Sequence, residues 1–189
     1  MTPALALPRP SARSVVRLYR RYASLPASHR WAVGFAGPIA LGALFGAAGV
    51  VAWVLAVSVV TDLLWRRIFN VVTGPALVCV IGMHLTGWSH GLPTAEASAL
   101  GFAACFGLML GLYLVFRGGE GDLKLAAVLG ATLGAYHGVE GLVAGYLLAA
   151  AVSLAIVGVR LVRRRPGLLS GTLPMAPFFA AGVAFTLTF

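Results

Sequence analysis

From Ala97 to Phe116 the chain carries no charged side chain and almost no polar one. That is the length one α-helix needs to cross a bilayer, ~20 residues. The pattern recurs. Residues 172–189, 139–160 and 71–88 read as further spans, and 123–137 reads as a shorter helix dense in glycine. Over the whole chain 60% of residues are hydrophobic and only 10% are charged, against about 25% charged in a soluble domain. The sequence therefore predicts an all-α, polytopic membrane protein with about six transmembrane helices. Residues 1–30 form a basic N-terminal arm, and residues 31–189 form the transmembrane domain.

The stretch from Trp31 to Trp65 is too long for one upright helix and short for two. Length favours a single span at about 40–64 preceded by an oblique segment. Two short spans are the alternative, at the cost of thin helices. The arm lacks the apolar core of a signal peptide. Within it Val15, Leu18, Tyr19, Tyr22 and Leu25 share one face among arginines, the pattern of an interfacial helix.

A net charge of +9 suits a nucleic-acid binder in principle. The location of the charge excludes that reading. Arginines cluster at 9–30, 66–67, 117 and 160–165, between apolar runs rather than along one face. Cytoplasmic loops have this look under the positive-inside rule. With the last three clusters inside, the crossings alternate without contradiction, and the 88–98 loop and the His137–Glu140 corner lie outside. A single span before Arg66 leaves the N-terminal arginines outside, whereas two spans would bring them in.

Glycines at 130, 134 and 138 recur at four-residue intervals, as do the pairs 107/111 and 141/145. Small residues at that spacing let helix backbones approach closely in lipid. The 130–138 set is expected to form one stripe facing a neighbouring helix. Cys79 and Cys105 lie inside apolar runs with no CxxC, so buried thiols are expected rather than a disulfide or a zinc site. His84, His90 and His137 fall toward the outer side, and their spacing resembles no metal site.

Only five residues are acidic: Asp62, Glu96, Glu120, Asp122 and Glu140. Glu96 and Glu140 fall on the outer side. The other three fall at the inner boundary, where carboxylates are costly and usually functional. Each aspartate has a plain explanation. Asp62 stands one turn before Arg66 and can pair with it, and Asp122 precedes a helical run and can be its N-cap. Together they have a further use. Two carboxylates that meet cannot both ionise, so they share a proton. The ionised member can then take a proton from water while the protonated member donates to a carbonyl oxygen. A helix N-terminus favours an anion, which would make Asp122 the ionised member. Gly118, Gly119 and Gly121 would allow unusual backbone conformations and the close approach of an extended peptide.

"GEGD" at 119–122, followed by Leu123 and Lys124, resembles the GxGDxK motif of the prepilin peptidases, the GxGD-type intramembrane aspartic proteases. "DLLWRRIFN" at 62–70 is similar to that family's first motif, an aspartate, a basic pair, then Ile-Pro-Asn. The final span opens with "LPMAPFFAAG" at 173–182, like the family's Pro-x-x-Pro stretch. The resemblance covers about residues 42–189. It implies a membrane-embedded aspartic endopeptidase that removes the leader of type IV pilin-like precursors at the inner membrane face, with Asp62 and Asp122 catalytic and no metal or cofactor. Gly119, Gly121, Lys124 and Asn70 would support the substrate loop. Asn70 is expected to be the N-cap of the second span, Lys124 to meet lipid phosphate, an acidic substrate residue or water, and Glu120 to be a solvated loop carboxylate.

Two departures matter. Phe69 stands where the family has proline. The paired CxxC insert that the longer members use for methylation is missing, so the chain is similar to the short members of tight-adherence and Flp-type pilus systems. Expected partners are prepilin-like precursors and the bilayer of the inner, cytoplasmic membrane, with no nucleic acid; the sequence does not decide the oligomeric state. The competing readings are a transporter or proton-relay subunit that uses the same aspartates, and a non-catalytic assembly scaffold. Transporters usually place such acids near mid-bilayer in interrupted helices, not at one surface.

Overall fold

A backbone that enters lipid must satisfy its own hydrogen bonds, which leaves this chain the helix. In the computed structural model, residues 12–88, 90–116, 119–162 and 173–188 are described, and among them there is no strand. The helices are α1 (Ala12–Ser24), α2 (Ala27–Trp65), α3 (Asn70–Leu85), α4 (Ala95–Phe116), α5 (Glu120–Val162) and α6 (Ala176–Thr188). The basic run at 163–165, Arg117 and Gly118 lie outside the described residues.

Two of these helices are folded back on themselves at a glycine. In α2 the break is Gly46, at φ 61° and ψ −143°. A Cβ on Gly37 would strike the indole of Trp53, one on Gly49 the carbonyl of Leu41, and one on Gly42 would lie 3.1 Å from Val50. Residues at nearly equal distances on either side of Gly46 thus touch, so 27–45 and 47–65 are antiparallel limbs of a helical hairpin. The amide of Ala47 donates to the carbonyl of His90 at 2.9 Å, which ties the hairpin tip to the α3–α4 loop. That same carbonyl leaves no space for a side chain at position 46.

The single span expected at 40–64 is therefore replaced by two short ones. Helix length argued for one crossing, but a glycine in a conformation closed to other residues lets the chain reverse without a polar turn. This also removes the conflict over the arm. With two limbs, Arg17, Arg20, Arg21 and Arg30 fall at the same end of the bundle as Arg66 and Arg67. Tyr22 of α1 meets Phe69 of the α2–α3 loop at that end, with ring centroids 5.5 Å apart.

In α5 the break is Gly134, at φ 79° and ψ 177°. Gly130 and Gly138 consequently face each other across a hairpin instead of lining one helix. A Cβ on Gly138 would lie 3.0 Å from the Cα of Gly130 and 2.8 Å from the sulfur of Cys105. The expected stripe of three is thus a reversal flanked by two contacts. Gly130 meets α4 backbone to backbone, against Gly101. Gly141 and Gly145 do line a face, which packs on α6: Gly182 lies against the Gly141 carbonyl, and a Cβ on Gly141 would be 3.1 Å from Val183. Around Gly107 and Gly111 there is nothing within 4 Å, so that pair makes no close helix contact among the described residues.

The core is filled by Val50, Val54, Leu125, Leu129, Leu142 and Phe179, each fully buried. Cys105 is fully buried too, and both cysteines are free thiols. The outward side chains are also apolar, among them Leu44, Leu114, Val115, Leu147 and Leu154. A water-facing surface would not carry such a belt, and lipid explains it. The unbroken α4, with 22 residues, is about 33 Å long at ~1.5 Å per residue. Helices α3 and α6, with 16 and 13 residues, fall short of the ~30 Å hydrocarbon core.

Leucine at Gly101 or Gly130 should cost on the order of 3 kcal/mol or prevent accumulation in the membrane, since backbone cannot yield to it. Leucine at Gly134 should be as damaging, through its positive φ. Leucine at Gly107 should change stability by less than about 0.5 kcal/mol. Unfolding of the four variants in detergent, with membrane yield, checks the ranking.

Candidate active site

The second limb of α2 ends at Trp65, and Arg66 closes it in the left-handed region at φ 54°. Its amide donates to the Asp62 carbonyl at 2.9 Å, the usual way of satisfying a helix C-terminus. Asp62 sits one turn before that stop. Its side chain is turned inward, with only 8% of the residue exposed. There Oδ2 accepts a hydrogen bond from the backbone amide of Ala176 at 3.0 Å. Ala176 is the first residue of α6, where backbone N–H groups have no helical partner. A carboxylate from α2 thus caps a helix that begins more than a hundred residues later.

Asp122 lies in the first turn of α5 with Glu120. It is not the N-cap, because the helix starts two residues earlier. Its amide donates to the Gly119 carbonyl at 3.2 Å, and its carboxylate folds back so that a Cβ on Gly119 would lie 3.1 Å from Oδ2. Gly121 is open for a different reason. A Cβ there would lie 2.9 Å from the Cβ of Ile68, so only glycine lets α5 start against the 66–69 loop. Gly121 has no positive φ, so it supplies space rather than the unusual backbone conformation expected of it.

Asp62 and Asp122 line one cavity of about 430 Å³, together with Arg66, Arg67, Ile68, Phe69, Asn70, Gly119, Glu120, Gly121, Lys124 and Met175. The two carboxylates thus belong to one cavity although they come from separate helices. Four residues expected to support the site, Gly119, Gly121, Lys124 and Asn70, are all in its wall. Asn70 has a different part from the one expected. The N-cap of α3 is Phe69, at φ −85° and ψ 140° with no side-chain cap. Asn70 is the first helical residue, and its Oδ1 accepts from Lys124 Nζ at 2.9 Å. That bond joins the two aspartate motifs across the cavity mouth. Glu120 is exposed, but as part of the helix rather than of a loop.

Two features escaped the sequence reading. One is Met175, which lines the cavity beside α6. The other is the α6 N-terminus, whose donor goes to Asp62 and not to Asp122. Pro177, the second residue of α6, is a helix-start signal. Nothing local, however, announces a capping partner on another helix. His84, His90 and His137 lie away from the aspartates, toward the opposite end: His84 pairs with Ser98 at 3.0 Å, His137 approaches Glu140 at 3.9 Å, and His90 binds the tip of α2 through its carbonyl.

Asn70→Ala and Lys124→Met should each cost about 1 kcal/mol, and the double variant should cost little more than either one. A double-mutant cycle on unfolding in detergent reads this. Simple additivity would mean that the bond contributes nothing.

Comparison with known proteins identifies relatives of the sequence. Residues 49–159 match the type IV leader peptidase family, a region that holds both aspartates, Asn70 and Lys124. The chain is 35% identical over 162 residues to the prepilin leader peptidase/N-methyltransferase of Burkholderia pseudomallei strain 1026b, covering 82% of this chain and 50% of that protein. The protein of the same description from strain K96243 matches equally. The chain thus spans about half the length of the curated relatives it matches. No solved structure matches. The matched region is more than half of the chain and carries both aspartate motifs in order, and on that ground the chain belongs to the type IV leader peptidase family.

Proposed function

We propose that this protein is an aspartic endopeptidase that cleaves the leader peptide of type IV pilin-like precursors at the cytoplasmic face of the inner membrane. The observation that carries the reading is the meeting of Asp62 and Asp122, from separate helices, in one cavity at the arginine-rich end of the bundle. Under the positive-inside rule that end faces the cytoplasm.

The geometry suggests a division of roles opposite to the one drawn from the sequence. Asp62 receives a backbone donor from a helix N-terminus, and such a bond favours the charged carboxylate. Asp62 is then the base, and Asp122, in the same cavity, holds the shared proton. A water in the cavity gives a proton to Asp62 as its oxygen attacks the scissile carbonyl. Asp122 donates its proton to the carbonyl oxygen, forming a neutral gem-diol. In collapse, Asp62 returns its proton to the leaving nitrogen, and Asp122 recovers one from the diol hydroxyl as the carbonyl reforms. Both residues end as they began. The precursor's apolar helix would lie in the bilayer, with its basic leader at the level of Arg66 and Glu120. The relatives' names also mention N-methylation, which nothing in this cavity supports, and peptide hydrolysis alone is proposed.

Co-expression with a prepilin-like precursor, read as a shift in its size, tests this. Asp62→Asn and Asp122→Asn should each lower processing by at least a thousandfold while the protein stays in the membrane, since one carboxylate cannot be both acid and base. Glu120→Gln should change the rate less than threefold. Normal cutting by either Asn variant sinks the mechanism. Loss of ion flux in the same variants, with cleavage never detected, would favour a transporter.

A further inference from the structure

The second limb of α2 turns a row of residues inward at four-residue intervals, Val54, Ser58 and Asp62. Val54 and Ser58 are fully buried and Asp62 nearly so. Ser58 is the anomaly in this row. Its Oγ is sealed from the surface and has no hydrogen-bond partner among the described residues. The usual outlet for a hydroxyl inside a helix is a carbonyl one turn back. Thr61, Thr132, Ser153 and Thr186 all take it, at 2.7 to 3.2 Å. Ser58 does not, and a buried hydroxyl left unpaired costs stability. Alanine would fill the same place without that cost. Such a group asks for a reason, and catalysis is one of the few.

We propose that Ser58 is a positioning residue for Asp62, its hydroxyl donating to Asp62 Oδ1 when a substrate occupies the cavity. The inference rests on the peptidase reading and adds to it the group that orients the base. Helix side chains lean toward the N-terminus, so Asp62 leans over the turn that holds Ser58. Residues four apart have Cβ atoms ~5–6 Å from each other, a separation that a serine hydroxyl and a carboxylate can bridge. Oδ2 of Asp62 is held by the Ala176 amide, which leaves Oδ1 for a second donor. Thr61, buried beside the same turn, already gives its hydroxyl to the Ser58 carbonyl. Held at one oxygen, the carboxylate can still turn about its Cβ–Cγ bond. Held at both, it keeps the second lone pair of Oδ1 aimed at the water it must deprotonate. Catalytic hydrogen bonds are often open in an unliganded enzyme and tighten in the complex. A bond made mainly in the reacting complex contributes to turnover, not to the stability of the resting protein.

Ser58→Ala separates this role from a packing one. In purified enzyme given a prepilin-like precursor in liposomes, it should lower kcat at least tenfold and leave KM within twofold. The same variant should unfold in detergent at an equal or higher denaturant concentration, because the unpaired hydroxyl is gone. Ser58→Thr, which keeps the hydroxyl, should hold kcat within threefold of the unmodified enzyme; if the added methyl prevents folding, the alanine variant still decides. Unchanged kcat in Ser58→Ala overturns the proposal. So does a loss of rate accompanied by a lower unfolding midpoint, which would make Ser58 a packing residue only. If the unmodified enzyme cuts no precursor, the peptidase reading itself fails and the proposal with it.

Discussion

Helices inside a bilayer gain little by hiding apolar side chains from one another, because the lipid is as apolar as the neighbouring helix. What holds this bundle together is the approach of backbone to backbone at glycine. Gly101 on Gly130 seats α4 against α5, and Gly182 on Gly141 seats α6 against the far limb of α5. Everything at the aspartates depends on those contacts. They determine where α5 begins, hence where Asp122 lies, and where α6 begins, hence which amide reaches Asp62.

The placement of the charges follows from that scaffold. Asp62 is buried at the end of one helix, and burial of a carboxylate is costly unless hydrogen bonds meet it. The donor comes from the N-terminus of α6, which itself lacks a partner. Each group thus resolves the other's deficit. The Lys124–Asn70 bond ties the two motifs at the cavity mouth. Gly121 of the GEGD segment lets the α5 start lie against Ile68 of the 66–69 loop without an intervening side chain.

The two hairpins have a shared logic. Gly46 and Gly134 both take positive φ and both lie at the end of the bundle away from the aspartates. Each reversal uses one residue where a polar turn would use several, so the chain crosses more often than its hydrophobic runs suggest. The short limbs that result bring Arg17, Arg20, Arg21 and Arg30 to the same end as the aspartate cavity.

Much of this was legible beforehand. The apolar runs dictated an all-α membrane protein, because length and lack of charge are local properties that lipid enforces directly. The order of the two aspartate motifs and their position beside basic clusters singled out residues that line one cavity in the structure. The tertiary structure alone decided the rest. Whether 31–65 crosses once or twice turned on the φ of Gly46, a position that the His90 carbonyl, more than forty residues away, keeps free of any side chain. Whether Gly130, Gly134 and Gly138 form a stripe turned in the same way on Gly134. Which aspartate receives a helix-terminal donor turned on where α6 docks. Composition and spacing record what each segment can do in lipid by itself. They do not record which backbone atoms of a distant segment will stand beside it, and in this protein those atoms choose the reversals and which carboxylate caps α6.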